Sequence, residues 1–223
     1  MTGGIDETKE RLLEAAGMVF SERGFRAATV REICQRAGAN LAAVNYYFGD
    51  KERLYVESVK RAHARREEAA PLPYWPSDTP PEVKLHGFVQ TLLSRMLGDP
   101  RSAWQAQLMF REMQQPTAAC GELVEEYIRP HFELLQSIIA DLAPAGISEQ
   151  QRRLIAFGIV GQCLYFRIAE PVVRQLLDQT EFAHVEPGRL ADHITHWTLA
   201  ALGRRQFVSP DGVAGRKRQE TGR

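Results

Sequence analysis

An all-α fold is predicted by three observations. Apolar residues recur at i, i+3, i+4 and i+7 through most of the chain. No segment shows the period-two alternation of a half-buried strand. Glycines, prolines and capping residues punctuate the helical stretches at intervals suited to short connections. The expected architecture is an N-terminal three-helix helix-turn-helix unit followed by a C-terminal helical bundle.

The first helix is expected from about Asp6, with Leu12, Leu13, Ala16, Val19 and Phe20 on one face and Gly24 as its stop. Thr29 stands where an N-cap belongs, and Glu32 three residues later completes a T-x-x-E capping box by reaching back to the Thr29 N–H. Val30, Ile33, Cys34 and Ala37 make one buried stripe, and Gly38 follows as the left-handed C′ residue. Asn40 caps a third helix that runs to Phe48, and Gly49-Asp50 ends it and caps a fourth beginning at Lys51. In the third helix Leu41, Val44 and Phe48 have the spacing of anchors to a core.

That leaves Ala42, Ala43, Asn45, Tyr46 and Tyr47 to face outward. Asparagine bonds the N6 and N7 edge of adenine, alanine methyls meet the thymine methyl, and tyrosine hydroxyls hold phosphate. Thr29, Arg31 and Lys51 sit at helix N-termini, whose amides attract phosphate. The candidate DNA contacts are therefore Thr29, Arg31, Asn40, Leu41, Ala42, Ala43, Asn45, Tyr46, Tyr47 and Lys51. The competing reading makes Tyr46 and Tyr47 half-buried packing residues.

Formal net charge is zero over 223 residues, which excludes a polyanion binder working by bulk charge alone. Charge is unevenly distributed, however: residues 1–70 hold 12 Lys/Arg against 11 Asp/Glu, residues 71–202 hold 10 against 15, and residues 203–223 hold 6 against 2. Lys51, Arg53, Lys60, Arg61, Arg65 and Arg66 form a basic stripe expected to replace counterions on DNA. Cys34, Cys120 and Cys163 lie apart in apolar contexts, as reduced core thiols do in a cytoplasmic protein. A polar N-terminus and the lack of an 18-residue apolar run predict neither a signal peptide nor a membrane span.

The fourth helix is expected to reach about Glu68, where Pro71, Pro73, Pro76, Pro80 and Pro81 mark a boundary. Helices over 82–97, 101–114, 117–142, 148–177 and 188–204 follow, and then a basic, disordered tail. The predicted domains are a DNA-binding head at 1–50, a connecting helix at 51–70, an effector-binding and dimerisation domain at 82–207, and the tail at 208–223.

Residues 9–55 resemble the DNA-binding domain of the TetR family of bacterial transcriptional repressors, through F20-S-E-R-G-F25, T29-V-R-E-I33, A37-G38 and Y47-F48-x-D50-K51-E52-x-L54. The resemblance implies that Thr29, Tyr47 and Lys51 touch phosphate and that Leu41 to Tyr47 enter the major groove. The chain departs from the usual family pattern at Leu41, Ala42 and Asn45, which bears on the operator sequence. The resemblance further implies a ligand-responsive repressor that binds a palindromic operator as a homodimer and is released by a small-molecule effector. An adaptor with a vestigial head is the alternative.

Family dimers use their last two helices, and the apolar, glycine-bearing stretches here suit that role. The candidate dimer residues are Phe157, Gly158, Gly161, Leu164, Ile194, Trp197 and Ala201. The alternative buries both helices within one protomer. Polar residues amid apolar ones suggest effector contacts at Trp104, Gln105, Met109, Arg111, Glu112 and Tyr127, and at His131, Gln162, Cys163, Phe166 and Arg167, with Tyr165 beside them. R111-E-M-Q-Q-P-T-A118 and G161-Q-C-L-Y-F-R167 resemble a TetR subgroup that takes hydrophobic or drug-like molecules. The competing reading pairs Arg111 or Arg167 internally with Glu125, Glu126 or Glu170. His193 and His196 with Asp192 do not complete a tetrahedral metal set, and neither a catalytic constellation nor a cofactor is expected. A helical enzyme using Arg111, Glu112 and His131 is the remaining rival.

Overall fold

The computed structural model describes residues 3–98 and 103–204, so the predicted tail at 208–223 lies outside the described residues. In chain order the helices are α1 (Gly3–Ala27), α2 (Val30–Ala37), α3 (Leu41–Phe48), α4 (Lys51–Ala69), α5 (Pro81–Leu97) and α6 (Ala103–Gln114). They continue as α7 (Ala118–Leu123), α8 (Arg129–Leu142), α9 (Glu149–Ile168), α10 (Glu170–Leu176), α11 (Gln179–Phe182) and α12 (Pro187–Ala201). No strand occurs among the described residues.

The chain divides into two compact units, one from Met1–Ala69 with Asp99–Arg129 and the other from Ala70–Gly98 with Pro130–Arg223. In the first unit α1 packs on α2, α4 and α6, and α4 packs on α6 and α7. Its core joins Leu12, Val19 and Phe20 of α1 to Ile33, Val44, Leu54 and Val59, and also to Leu108, Met109 and Leu123. The buried faces of α6 and α7, which lie within the stretch 82–207 expected as the effector-binding and dimerisation domain, pack into this first core.

The second unit is built on α5 and α12, with α9 against both. Leu85, Val89 and Leu93 of α5 meet Leu190, Ile194 and Leu199 of α12, with Ile138, Ile139, Ala156 and Ile159 closing the core.

Two predicted helices are interrupted at prolines. The expected helix 117–142 contains a π-helical turn at Val124–Ile128, in which the Arg129 N–H bonds Val124 O. Pro130 follows at once; it has no N–H for the i−4 carbonyl and its ring crowds that carbonyl, so the wider turn accommodates it without ending the helix. The expected helix 148–177 is bent by 74° between α9 and α10. Pro171 occupies the first turn of α10, the place in a helix where the missing N–H does no harm. Among the described residues no single helix is long and apolar enough to cross a membrane, although the bent α9–α10 pair is by length and composition.

The close crossing of α1 and α6 depends on Gly17. A Cβ at this position would lie 2.2 Å from the Trp104 ring. Replacing a helical glycine by alanine ordinarily gains about 0.5–1 kcal/mol, but a forced displacement of a packed ring costs about 1–3 kcal/mol. Gly17→Ala is therefore expected to lower the urea unfolding free energy. A stabilised variant would contradict the tight crossing.

Candidate nucleic-acid interface

Three caps set the geometry of α2, α3 and α4. Thr29 Oγ1 accepts from the Glu32 N–H at 3.2 Å, Asn40 Oδ1 from the Ala43 N–H at 2.9 Å, and Asp50 Oδ1 from the Arg53 N–H at 2.7 Å. Between α2 and α3 the chain turns through Gly38 in the left-handed region (φ 61°), and its N–H and that of Ala39 return to carbonyls of α2. The expected reciprocal half of the capping box is replaced by another bond: the Glu32 carboxylate takes the Arg23 Nε at 2.9 Å. Thr29 consequently uses one hydroxyl lone pair on its own helix and keeps its O–H to donate.

Val44 and Phe48 are buried and hold α3 to the core. Leu41, read from its spacing as a third anchor, is instead 55% exposed, because it stands in the first turn beyond the reach of the core. Ala43 and Tyr47 pack partly against the core, so Ala43 does not face outward freely. Ala42 and Asn45 are exposed, and Tyr46 is 77% exposed with its ring edge-on to Tyr47 at 5.0 Å. The free face of α3 is thus Leu41, Ala42, Asn45 and Tyr46.

Cations gather at the edges of that face. Lys51 Nζ lies 3.4 Å from Arg26 O and 4.8 Å from the Phe25 ring centroid, which orients it at the start of α4. Arg31 is exposed, and so is Arg26, which the sequence reading missed; neither is ion-paired among the described residues. The basic stripe of α4 is largely not available. Arg53 pairs with Glu57 and Glu122, Lys60 with Glu122 and Glu126, Arg61 with Glu10 and Glu68, and Arg65 with Glu10. The Glu126 hydrogen bond raises the Lys60 pKa, as expected of an ammonium held by carboxylates. The stripe expected to replace DNA counterions therefore meets acids of its own unit, supplied by α1, α4, α7 and the π turn.

The candidate effector residues fall into both units. Arg111 donates from Nε to Ser21 O at 2.6 Å and from Nη2 to Glu22 O at 2.9 Å, so it caps the last turn of α1 before Gly24 breaks it. This cation sits at the negative end of the α1 dipole. Glu112 is fully buried; Tyr55 Oη donates to it at 2.7 Å and the Thr117 N–H at 2.7 Å. Burial and this carboxylate together push the Tyr55 phenol well above its usual range. Arg111 and Glu112 are thus committed within the unit, through partners other than the glutamates weighed from the sequence.

Trp104 packs on Gly17, Met109 lies in the first core, and Tyr127 packs there with its ring 4.6 Å from that of His63. Gln105 is buried, and its Oε1 has no hydrogen-bond partner among the described residues. In the second unit His131 Nε2 lies 3.2 Å from Arg95 Nη1, Gln162 donates to Gly158 O, and Arg167 pairs with Glu170 at 3.5 Å. Phe166 packs against the second core, and Cys163 lies within it, where burial pushes its thiol up to about 12. His86 Nε2 donates to Asp192 Oδ1 at 2.8 Å, while His196 Nδ1 donates to Asp192 O.

The candidate dimer residues separate into two groups. Phe157 and Trp197 are 60% and 63% exposed, Gly158, Gly161 and Ala201 are exposed, and Leu164 is half-buried. Ile194 is fully buried, because it lies on the α12 stripe that meets α5, and this corrects its assignment to an exposed face. Leu154, Tyr165 and Ile168 extend the exposed face along α9.

A capped helix-turn-helix with an uncommitted second-helix face, carried by a helical chain, defines the class of bacterial helix-turn-helix regulators. Residues 12–57 match the model of bacterial regulatory proteins of the tetR family, and residues 81–203 match that of the C-terminal domain of the HTH-type transcriptional dual regulator CecR. The chain belongs to the TetR family of transcriptional regulators. It is 27% identical to CecR of Shigella flexneri over 83% of this chain and 93% of that protein. It is 34% identical to the repressor AcnR of Corynebacterium glutamicum over 44% of this chain and 46% of that protein. A TetR-like regulator from Rhodococcus sp. RHA1 shares the fold with TM-score 0.62 and 25% identity, over 88% of this chain and 96% of that one. FadR of Bacillus subtilis, solved with stearoyl-CoA, shares the fold with TM-score 0.61 at 16% identity, over 85% and 97%. These relatives are regulators and not enzymes.

The buried Glu112 node generates a stability prediction. Glu112→Leu leaves the Tyr55 hydroxyl and the Thr117 N–H without an acceptor, each costing about 1–3 kcal/mol. Glu112→Gln keeps one acceptor oxygen. Urea denaturation should therefore rank wild type above Glu112→Gln and Glu112→Gln above Glu112→Leu, and equal stability of the three would refute the role given to the carboxylate.

Proposed function

We propose that the chain is a homodimeric repressor that places α3 in successive major grooves of a palindromic operator and is released by a small-molecule effector. The observation that carries this reading is the free face of α3, held by three side-chain caps and flanked by Thr29, Arg26, Arg31 and Lys51. A vestigial head, as the adaptor alternative requires, has no need of that arrangement. Two-fold dimers present recognition helices about 34–36 Å apart, and an effector that prefers another separation weakens operator binding by its differential affinity for the two states.

The dimer reading is supported by the exposed stripe of α9 with Trp197 and Ala201 of α12. A Cβ at Gly158 or Gly161 would meet nothing within 4 Å, which leaves room for a second chain to approach the α9 backbone. For the effector we favour the α6 neighbourhood of Trp104, Gln105 and Met109, where the Gln105 Oε1 is a buried acceptor without a partner among the described residues. The occurrence of stearoyl-CoA in FadR, which shares the fold, agrees with a hydrophobic effector. A second reading is regulation in both directions, favoured by the match to the dual regulator CecR over 83% of this chain. In either case the protein acts in the cytoplasm, where operator DNA is found.

DNA from upstream of its own gene should give a gel shift that weakens as salt rises. Asn45→Ala is expected to lose about 1–3 kcal/mol on the best site and to relax base preference. Lys51→Ala should weaken all sequences alike and reduce the salt slope by about one unit. Equal losses for Asn45→Ala on specific and random DNA would contradict its base-reading role. In sedimentation velocity the wild type should be a dimer and Trp197→Glu with Phe157→Glu a folded monomer; an unchanged dimer would place the interface elsewhere.

A further inference from the structure

We propose that α3 reads A·T base pairs, with Leu41 and Ala42 on thymine methyls and Asn45 on adenine, so that the centre of each half-site lacks a guanine contact from this helix. The inference rests on α3 being the recognition helix and names the class of sequence it selects.

The major groove distinguishes base pairs by donor, acceptor and methyl patterns, and guanine is read most often by the two-pronged donation of an arginine or lysine to O6 and N7. The exposed face of α3 offers no such donor: Leu41, Ala42, Asn45 and Tyr46 are all uncharged. Leu41 and Ala42 stand in the first turn, the part of a recognition helix that approaches base edges. Leu41 is more than half exposed, so its apolar side chain is available to the thymine C5-methyl. Asn45 lies four residues after Leu41 and three after Ala42, so the three residues share one stripe. Its amide presents the donor and acceptor that adenine N7 and N6 require.

Other nearby groups are already engaged or stand aside. Asn40 spends its Oδ1 on the Ala43 N–H. The Lys51 ammonium is drawn to Arg26 O and over the Phe25 ring, at the start of α4. Arg36 is paired with Glu22 at 2.9 Å. Arg26 and Arg31 belong to α1 and α2, where a helix-turn-helix meets the phosphate backbone.

Selection by the full-length protein from a random double-stranded library, followed by base analogues in the winning site, tests this directly. The selected half-sites should carry A·T pairs beneath α3. Replacing those thymines by deoxyuridine, which removes only the methyl, should weaken wild type severalfold and Leu41→Ala clearly less, since Ala42 alone then keeps its methyl contact. Replacing the adenine by 7-deazaadenine should weaken wild type by about tenfold or more and leave Asn45→Ala unchanged. Conserved G·C pairs beneath α3, or equal uracil sensitivity in wild type and Leu41→Ala, would overturn the proposal while leaving DNA binding intact. Failure to enrich any sequence, with no salt-sensitive shift, would instead overturn the DNA-binding reading on which it rests.

Discussion

The buried carboxylate of Glu112 is the interaction on which the first unit depends. An ionised or strongly polar group without water is tolerated only when its acceptor sites are filled, and here Tyr55 of α4 and Thr117 at the start of α7 fill them. The carboxylate therefore holds α4, α6 and the start of α7 in one geometry. Arg111, the adjacent residue, fastens α6 to the end of α1. Two consecutive charged residues on one helix thus anchor it to the helices that carry the head. The consequence for function is that α4, whose N-terminus presents Lys51, is not an isolated lever but part of a packed block with α6 and α7.

Charge distribution follows the same logic. A chain of zero net charge gains little from bulk attraction to DNA, and the pairing of Arg53, Lys60, Arg61 and Arg65 with acids of the same unit removes most of the stripe on α4 as well. For the proposed regulator, affinity then rests on a few placed groups and on two-fold repetition of the head, and specificity on an uncharged helix face. Such an interface gives less non-specific binding and depends more on shape and dimer geometry.

The head was legible in the sequence because its signals are local. Thr29, Asn40 and Asp50 cap helices through bonds within three residues, and Gly38 turns the chain through a conformation that few other residues adopt. Errors arose where a residue's neighbours lie far along the chain. Leu41 has the spacing of an anchor but faces away from the core, and Ile194 has the look of an interface residue but meets α5. Membership of α6 and α7 in the first unit was likewise hidden, since amphipathic spacing says which face is buried and not against what. Two signals were local and underweighted: Pro130 and Pro171 each stood inside a predicted helix, and each altered it, one by a π turn and one by a bend. The candidate effector residues were the least legible, because a polar residue among apolar ones marks an internal tie as readily as a ligand contact, and Arg111 and Glu112 proved to be ties.

Helices α6 and α7 form one cooperative block with the helices that carry the DNA-reading face, and native-state hydrogen exchange tests that cooperativity. Amides of α6 should open with the same free energy and the same denaturant dependence as those of α1 and α4, and should gain protection with them when operator DNA binds. Exchange of α6 at a free energy well below that of α1 and α4, unaffected by DNA, would mean that α6 is not part of that block.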